Sequence, residues 1–234
     1  MYYVPRLLSN EGGYATHHVE DAAIVALKPP GLGFEEAAAL PLSAGTAWEC
    51  LIERGKLEPG ERILVHAGTG GVGIYAIQIA RATGAFVVTT CRSEQADFVK
   101  SLGADIAIDY RAPDLDARLA NATDGRGFDL VLDTIGGDAI ERGCGQLADG
   151  GRLVSIVDHA LPQNLIRGWE RNIQLHLVLT TQRRQRLELI GALVEKGLLV
   201  PVIERTLPLE DAAQAHRLIE AGGRRGKIVL RVAS

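Results

Sequence analysis

Ile63-Leu64-Val65-His66-Ala67-Gly68-Thr69-Gly70-Gly71-Val72-Gly73 is a short apolar run that empties into a glycine-rich turn, and the residues from about 72 to 83 read as a helix. Gly68, Gly70 and Gly73 fit GxGxxG, a pattern that carries weight only between a strand and a helix, as here. In such a turn the first glycine permits the tight bend, the second lets backbone approach a pyrophosphate, and the third lets helix and strand pack closely. The pyrophosphate then lies at the helix N-terminus, where unpaired N–H groups and the helix dipole favour negative charge. Gly68, Thr69, Gly70, Gly71, Val72 and Gly73 are therefore the predicted cradle of a dinucleotide. The competing reading is a structural turn without a ligand, against which stand three glycines that each cost chain entropy.

Working outward, β-branched runs alternate with helical stretches. Strands are predicted at 63–66, 86–90, 106–108, 128–133, 153–157 and 173–179, with Ser93 as the cap of a helix ending at Gly103. Near-continuous apolar strands separated by helices indicate a parallel sheet covered on both faces. The fold class is α/β, a doubly wound Rossmann sheet of six strands. The ends read differently. Residues 13–27 alternate weakly, as an antiparallel strand pair does. Helices are predicted at 183–196 and 209–221 around a strand at 200–207, and a last strand at 227–230. The domain reading is 44–181 for the dinucleotide-binding domain, with 1–43 and 182–234 sharing a second one.

The choice of dinucleotide is made where the second strand ends. An acid about 20 positions after the first glycine binds a ribose 2′-hydroxyl, whereas Arg accommodates a 2′-phosphate. The window reads Thr90-Cys91-Arg92-Ser93, with no carboxylate before Glu94. Arg92 offers a planar, permanently charged fork and Ser93 a hydroxyl donor. NADPH is the predicted cofactor; the alternative is that Arg92 is surface charge and selectivity is loose.

Composition excludes several classes. Of 234 residues, 47% are hydrophobic and 23% charged, and the formal net charge of -4 supplies no basic face for nucleic acid. No run reaches the about 18 apolar residues that cross a bilayer, and the N-terminus lacks a signal-peptide pattern. Cys50, Cys91 and Cys144 form neither a disulfide framework nor a CxxC knuckle, which points to reduced thiols and a cytoplasmic location. His17-His18 and Asp158-His159 are tempting metal ligands without a recognisable spacing to further ones, so no metal site is predicted.

The segments Ala37-Ala38-Ala39-Leu40-Pro41, Gly45-Thr46-Ala47-Trp48, the glycine turn, Ser101-Leu102-Gly103-Ala104-Asp105, Asp109-Tyr110-Arg111, Asp133-Thr134-Ile135-Gly136-Gly137 and Gly226-Lys227-Ile228-Val229-Leu230 together resemble the medium-chain dehydrogenase/reductase superfamily. The branch resembled is the zinc-independent quinone oxidoreductase and enoyl reductase group. The resemblance implies that Thr46 lies near the nicotinamide, Tyr110 near the adenosine, Gly136 at the end of the fourth strand, and Ser155 or Ile156 beside the nicotinamide. The competing readings are a helix cap for Thr46 and a packed aromatic for Tyr110. It also implies hydride transfer from NADPH to a small-molecule quinone or α,β-unsaturated carbonyl, and a homodimer through residues 172–180. Leu42 stands four positions before Thr46, where zinc-dependent members carry a cysteine ligand, and Leu cannot bind zinc. Members of the group also carry most of a GroES-like substrate domain ahead of the segment matching Gly13-Tyr14-Ala15, so the N-terminal share here is expected to be a remnant. That leaves as alternatives a truncated, non-catalytic NADPH-binding protein and an alcohol dehydrogenase-like enzyme.

Overall fold

The computed structural model describes residues 1–6, 12–137, 139–157, 166 and 168–232. The described helices, in chain order, are α1 (Phe34–Ala39), α2 (Pro41–Trp48), α3 (Gly73–Thr83), α4 (Ala96–Ser101), α5 (Leu115–Asn121), α6 (Ala139–Gln146), α7 (Arg184–Glu195) and α8 (Ala212–Glu220). The strands are β1 (Arg62–Val65), β2 (Phe86–Cys91), β3 (Ile106–Asp109), β4 (Phe128–Asp133), β5 (Leu147–Ser155), β6 (Gln174–Leu177), β7 (Ile203–Pro208) and β8 (Lys227–Arg231). They fall into two compact units, Met1–Thr46 with Thr181–Ser234, and Ala47–Thr180.

The unit 47–180 is organised by β1. Ile63, Leu64 and Val65 are fully buried, so the strand has no wet face and must be covered on both sides. β1 pairs in parallel with β2 and β4, and the sheet order is β3-β2-β1-β4-β5-β6 with every pairing parallel. Leu64, Val88, Ile108, Val131 and Leu153 bury against Leu119 of α5 and Ile140 and Cys144 of α6. Each large aliphatic side chain so buried contributes about 1.5–3 kcal/mol. α3 packs on β1 and β2, and α4 on β2 and β3. α3 is buried almost all round through Ile74, Tyr75, Ile77 and Ile79, and it stops at Gly84, whose φ of 89° an L side chain resists. The strand order reverses between β1 and β4, the place where open α/β sheets receive ligands beyond their carboxyl ends.

Four local expectations are corrected. β5 begins at Leu147 and ends at Ser155, against the predicted 153–157; Asp149, Gly150 and Gly151 lie inside it, and a register shift opposite β4 and a left-handed Gly150 (φ 76°) accommodate them. β6 spans only 174–177, because its partner β5 ends where Leu177 pairs with Ser155. Ser93 opens a 3₁₀ turn (Ser93–Gln95) instead of capping α4, since its hydroxyl is taken by Asp109. Residues 13–27 form no strand pair. The segment holds a 3₁₀ turn at Ala22–Ile24, capped by the Asp21 carboxylate on the Ala23 amide, and one antiparallel bridge from Ala26 to Tyr2.

In the other unit, β7 and β8 pair in parallel and α1 packs on both. Glu35 of α1 accepts from Thr206 Oγ1 (3.1 Å) and Arg231 Nε (2.7 Å). Tyr2 is buried and donates its hydroxyl to the Leu187 carbonyl at 2.5 Å, which makes it a packing residue of this unit.

Candidate dinucleotide site

The glycine turn leaves β1 and enters α3 with its backbone pinned to β2. The Gly68 amide donates to the Thr90 carbonyl (2.9 Å) and the Ala67 amide to Thr90 Oγ1 (3.1 Å). The left-handed residue of the turn is Ala67, at φ 51°, and not Gly68. Gly68 is required for a different reason. A Cβ there would stand 2.2 Å from Thr89 Oγ1 and 2.9 Å from Ile77 Cδ1. A Cβ on Gly73 would stand 2.3 Å from the Ala67 carbonyl oxygen, so helix and turn touch through backbone, as the third-glycine reading requires. Gly70 is looser, with its nearest contact at 3.2 Å, also to that oxygen. Between strand and helix the amides of Gly71 and Val72 donate to no backbone carbonyl among the described residues, and both residues are only half-buried. Free amides over an eleven-residue helix with no side-chain cap suit a pyrophosphate. Thr69 is buried and its hydroxyl is 3.4 Å from Gln95 Oε1.

Beside the turn, the carboxyl ends of β4 and β5 are locked together. Asp133 is fully buried. Its Oδ2 accepts from Ser155 Oγ at 2.7 Å, and its Oδ1 accepts from the amides of Ile135 (2.9 Å) and Gly136 (3.2 Å). The Ile156 amide donates to the Asp133 carbonyl at 3.2 Å. Thr134 Oγ1 donates to the His66 carbonyl at 2.9 Å, so the loop after β4 is also held against the end of β1. Gly136 and Gly137 are both left-handed (φ 80° and 73°), which lets the loop fold back over its own carboxylate. Ser155, expected beside the nicotinamide, is buried, with its hydroxyl committed to Asp133 and its carbonyl accepting from the Val178 amide at 2.9 Å. Sequence reading missed Asp133, whose signal is an acid placed just before a glycine pair at a strand end.

At the far side, β2 and β3 end together, Cys91 pairing with Asp109. Arg92 Nε donates to the Tyr110 hydroxyl at 3.3 Å, and among the described residues Arg92 has no carboxylate partner. Tyr110 is exposed on this rim, so it is not a packed aromatic. Ser93 gives both its amide (3.2 Å) and its hydroxyl to Asp109 Oδ2. Arg111 gives its amide (2.9 Å), Nε (3.3 Å) and Nη2 (3.3 Å) to the same carboxylate, and pairs with Glu94 at 3.2 Å. Those hydrogen bonds, led by Ser93 and Arg111, hold the Asp109 carboxyl well below the usual carboxylate range. Asp109 is the second functional candidate that sequence reading passed over.

Thr46 belongs to the other unit, within α2, where its hydroxyl bonds back to the Leu42 carbonyl at 2.8 Å. It is therefore an interior helix residue and not a cap. Among the described residues no three His, Cys, Asp or Glu side chains gather as a metal site. Leu42 is partly exposed and has no donor atom to offer. His18 is engaged with the Tyr3 hydroxyl at 3.2 Å, while Asp158 and His159 lie outside the described residues. The three cysteines are buried and none is in a disulfide among the described residues. No helix among the described residues is long and apolar enough to cross a membrane.

Comparison with known proteins is consistent with this geometry. Residues 102–230 match the family described as "Zinc-binding dehydrogenase". A "Probable zinc-binding oxidoreductase, mitochondrial" of Arthroderma benhamiae is 36% identical, over 96% of this chain and 70% of that protein. A crystal structure of an "NAD-dependent alcohol dehydrogenase" superposes with a TM-score of 0.88 at 37% identity, covering 95% of this chain and 66% of that one. The quinone oxidoreductase of Coxiella burnetii superposes with a TM-score of 0.80 at 32% identity, covering 88% of this chain and 63% of that one. The chain thus spans just under two thirds of these two solved chains.

Proposed function

This chain belongs to the zinc-binding dehydrogenase family of the medium-chain dehydrogenase/reductase superfamily, and on that premise we propose that it is an NADPH-dependent oxidoreductase that reduces a quinone or an α,β-unsaturated carbonyl without zinc. The observation that carries the reading is the pair of unengaged amides at Gly71 and Val72, at the head of α3 beside a strand-order reversal. When bound, the cofactor supplies the hydride; the protein supplies position and exclusion of water.

The residues divide the work. Gly68 and Gly73 keep the turn close to β2 and α3, so the amides of Gly71 and Val72 meet the pyrophosphate. Arg92, steadied by Tyr110, faces the adenosine ribose and favours a 2′-phosphate. Asp133 and Ser155 hold the backbone of Gly136 and Ile156 at the rim where the nicotinamide is expected. Zinc independence is supported by Leu42 and by the lack of a donor cluster among the described residues. The carbonyl is then polarised by hydrogen bonds or water. β6 lies at the sheet edge with Leu177 half-exposed and Leu179 more so, which supports a two-fold pairing through residues 172–180.

The test is a single-turnover measurement: the chain is mixed with NADPH and then with a quinone or an enone. Oxidation of NADPH that survives chelators is the expected result. Tight NADPH binding without oxidation by either acceptor class defeats the catalytic reading, and stoichiometric zinc in the purified protein defeats the zinc-independent one.

A further inference from the structure

We propose that Asp109 limits cofactor selectivity, supplying from β3 the carboxylate that β2 lacks, so that the chain accepts NADH as well as NADPH. The inference rests on the dinucleotide reading above and deepens it. In a Rossmann unit the acid that binds the ribose hydroxyl stands at the end of the second strand. Here that strand ends Cys91-Arg92-Ser93, without an acid. Sheet register, however, sets Asp109 directly beside Cys91. The carboxylate is then drawn to the loop after β2 by the Ser93 amide and hydroxyl. Its side chain remains 18% exposed, and the long Arg111 contacts at 3.3 Å are the ones a ribose hydroxyl would displace, since five donors already fill the carboxylate.

The same contacts remove rivals for a 2′-phosphate. Ser93 has its hydroxyl proton turned to Asp109, and Arg111 is shared between Asp109 and Glu94. Of these three, Arg92 alone is without a carboxylate among the described residues, and its neighbour in sequence is bonded to one. A 2′-phosphate seated on Arg92 therefore approaches a fixed negative charge, whereas a 2′-hydroxyl can replace one of the long Arg111 contacts on that carboxylate. Arg92 and Asp109 pull in opposite directions, and the expected preference for NADPH is shallow.

The experiment measures Kd for NADPH and for NADH by calorimetry on the full chain. For the wild type the two should agree within about tenfold. Asp109→Asn keeps the size and an acceptor oxygen but removes the charge. It should raise the preference for NADPH by about tenfold or more, the scale of one charged hydrogen bond. Asp109→Glu, which restores the charge, should return the ratio toward the wild-type value. Loosening of β3 alone would weaken both cofactors together and leave the ratio where it was. An unmoved or reversed ratio in Asp109→Asn overturns the proposal, as does a strict NADPH preference in the wild type. Failure of either cofactor to bind the wild type removes the dinucleotide reading itself.

Discussion

Ser155 Oγ donates to Asp133 Oδ2 at 2.7 Å across the parallel pair formed by the last residues of β5 and β4. The carboxylate has no exposure and spends its remaining acceptors on the amides of Ile135 and Gly136. A buried charge is tolerable only when it is satisfied in this way. Ser155→Ala should cost about 1.5–3 kcal/mol, the range for a hydrogen bond to a charged group. Urea unfolding should show a lower midpoint at an unchanged slope. A midpoint equal to wild type would mean that the carboxylate finds water instead.

The turn makes a prediction with two signs. Ala67 is left-handed at φ 51°, a conformation costing an L residue roughly 1–2 kcal/mol. Ala67→Gly should therefore stabilise the fold by up to about 1 kcal/mol once the entropy of glycine is subtracted. Gly68→Ala should destabilise it by about 1–3 kcal/mol or more, since the added methyl overlaps Thr89 and Ile77. Thermal unfolding of the two variants reads both signs; a stabilised Gly68→Ala would refute the geometry.

Arg92 is expected to act on one cofactor only. Arg92→Ala should weaken NADPH by about 1.5–3 kcal/mol and leave NADH nearly unchanged. Gly70→Val, by contrast, should weaken both, because it fills the approach to the pyrophosphate. Titration calorimetry separates the two patterns, and parallel losses for Arg92→Ala would make Arg92 a general surface charge.

Cys91 is buried, and burial first, then the negative charges of Asp109 and Glu94, push its thiol from 9.0 up to about 11. The fold favours the neutral thiol. Its contribution to stability is therefore full below pH 9 and is lost as the pH rises from 9 toward 11. Native protein at pH 8 should resist iodoacetamide at Cys91, whereas unfolded protein should label all three cysteines. Rapid labelling of Cys91 in the native state at pH 8 would contradict the site as described.

The edge strand β6 gives the prediction on assembly. Light scattering at micromolar concentration should report a dimer, and Leu177→Lys should convert it to a folded monomer. A monomeric wild type would show that something other than a second copy covers this edge.

Much of the architecture was legible in the sequence because burial leaves a periodic trace. Ile63-Leu64-Val65 and Leu130-Val131-Leu132 are apolar on every residue, and only a strand covered on both faces tolerates that. The glycine spacing fixed where the turn lies, since Gly68 and Gly73 have no room for a Cβ. Tertiary structure alone decided which polar groups meet. Ser93 reaches Asp109 across 16 positions and Ser155 reaches Asp133 across 22, and both meetings depend on strand register. Local pattern carries no record of register between strands, so Ser93 read as a helix cap and nothing in the sequence tied Ser155 to Asp133. The left-handed residue of the turn has a related origin. Ala67 stands at φ 51° with its own amide and that of Gly68 both bonded to Thr90, and those contacts exist only once β2 has docked against β1.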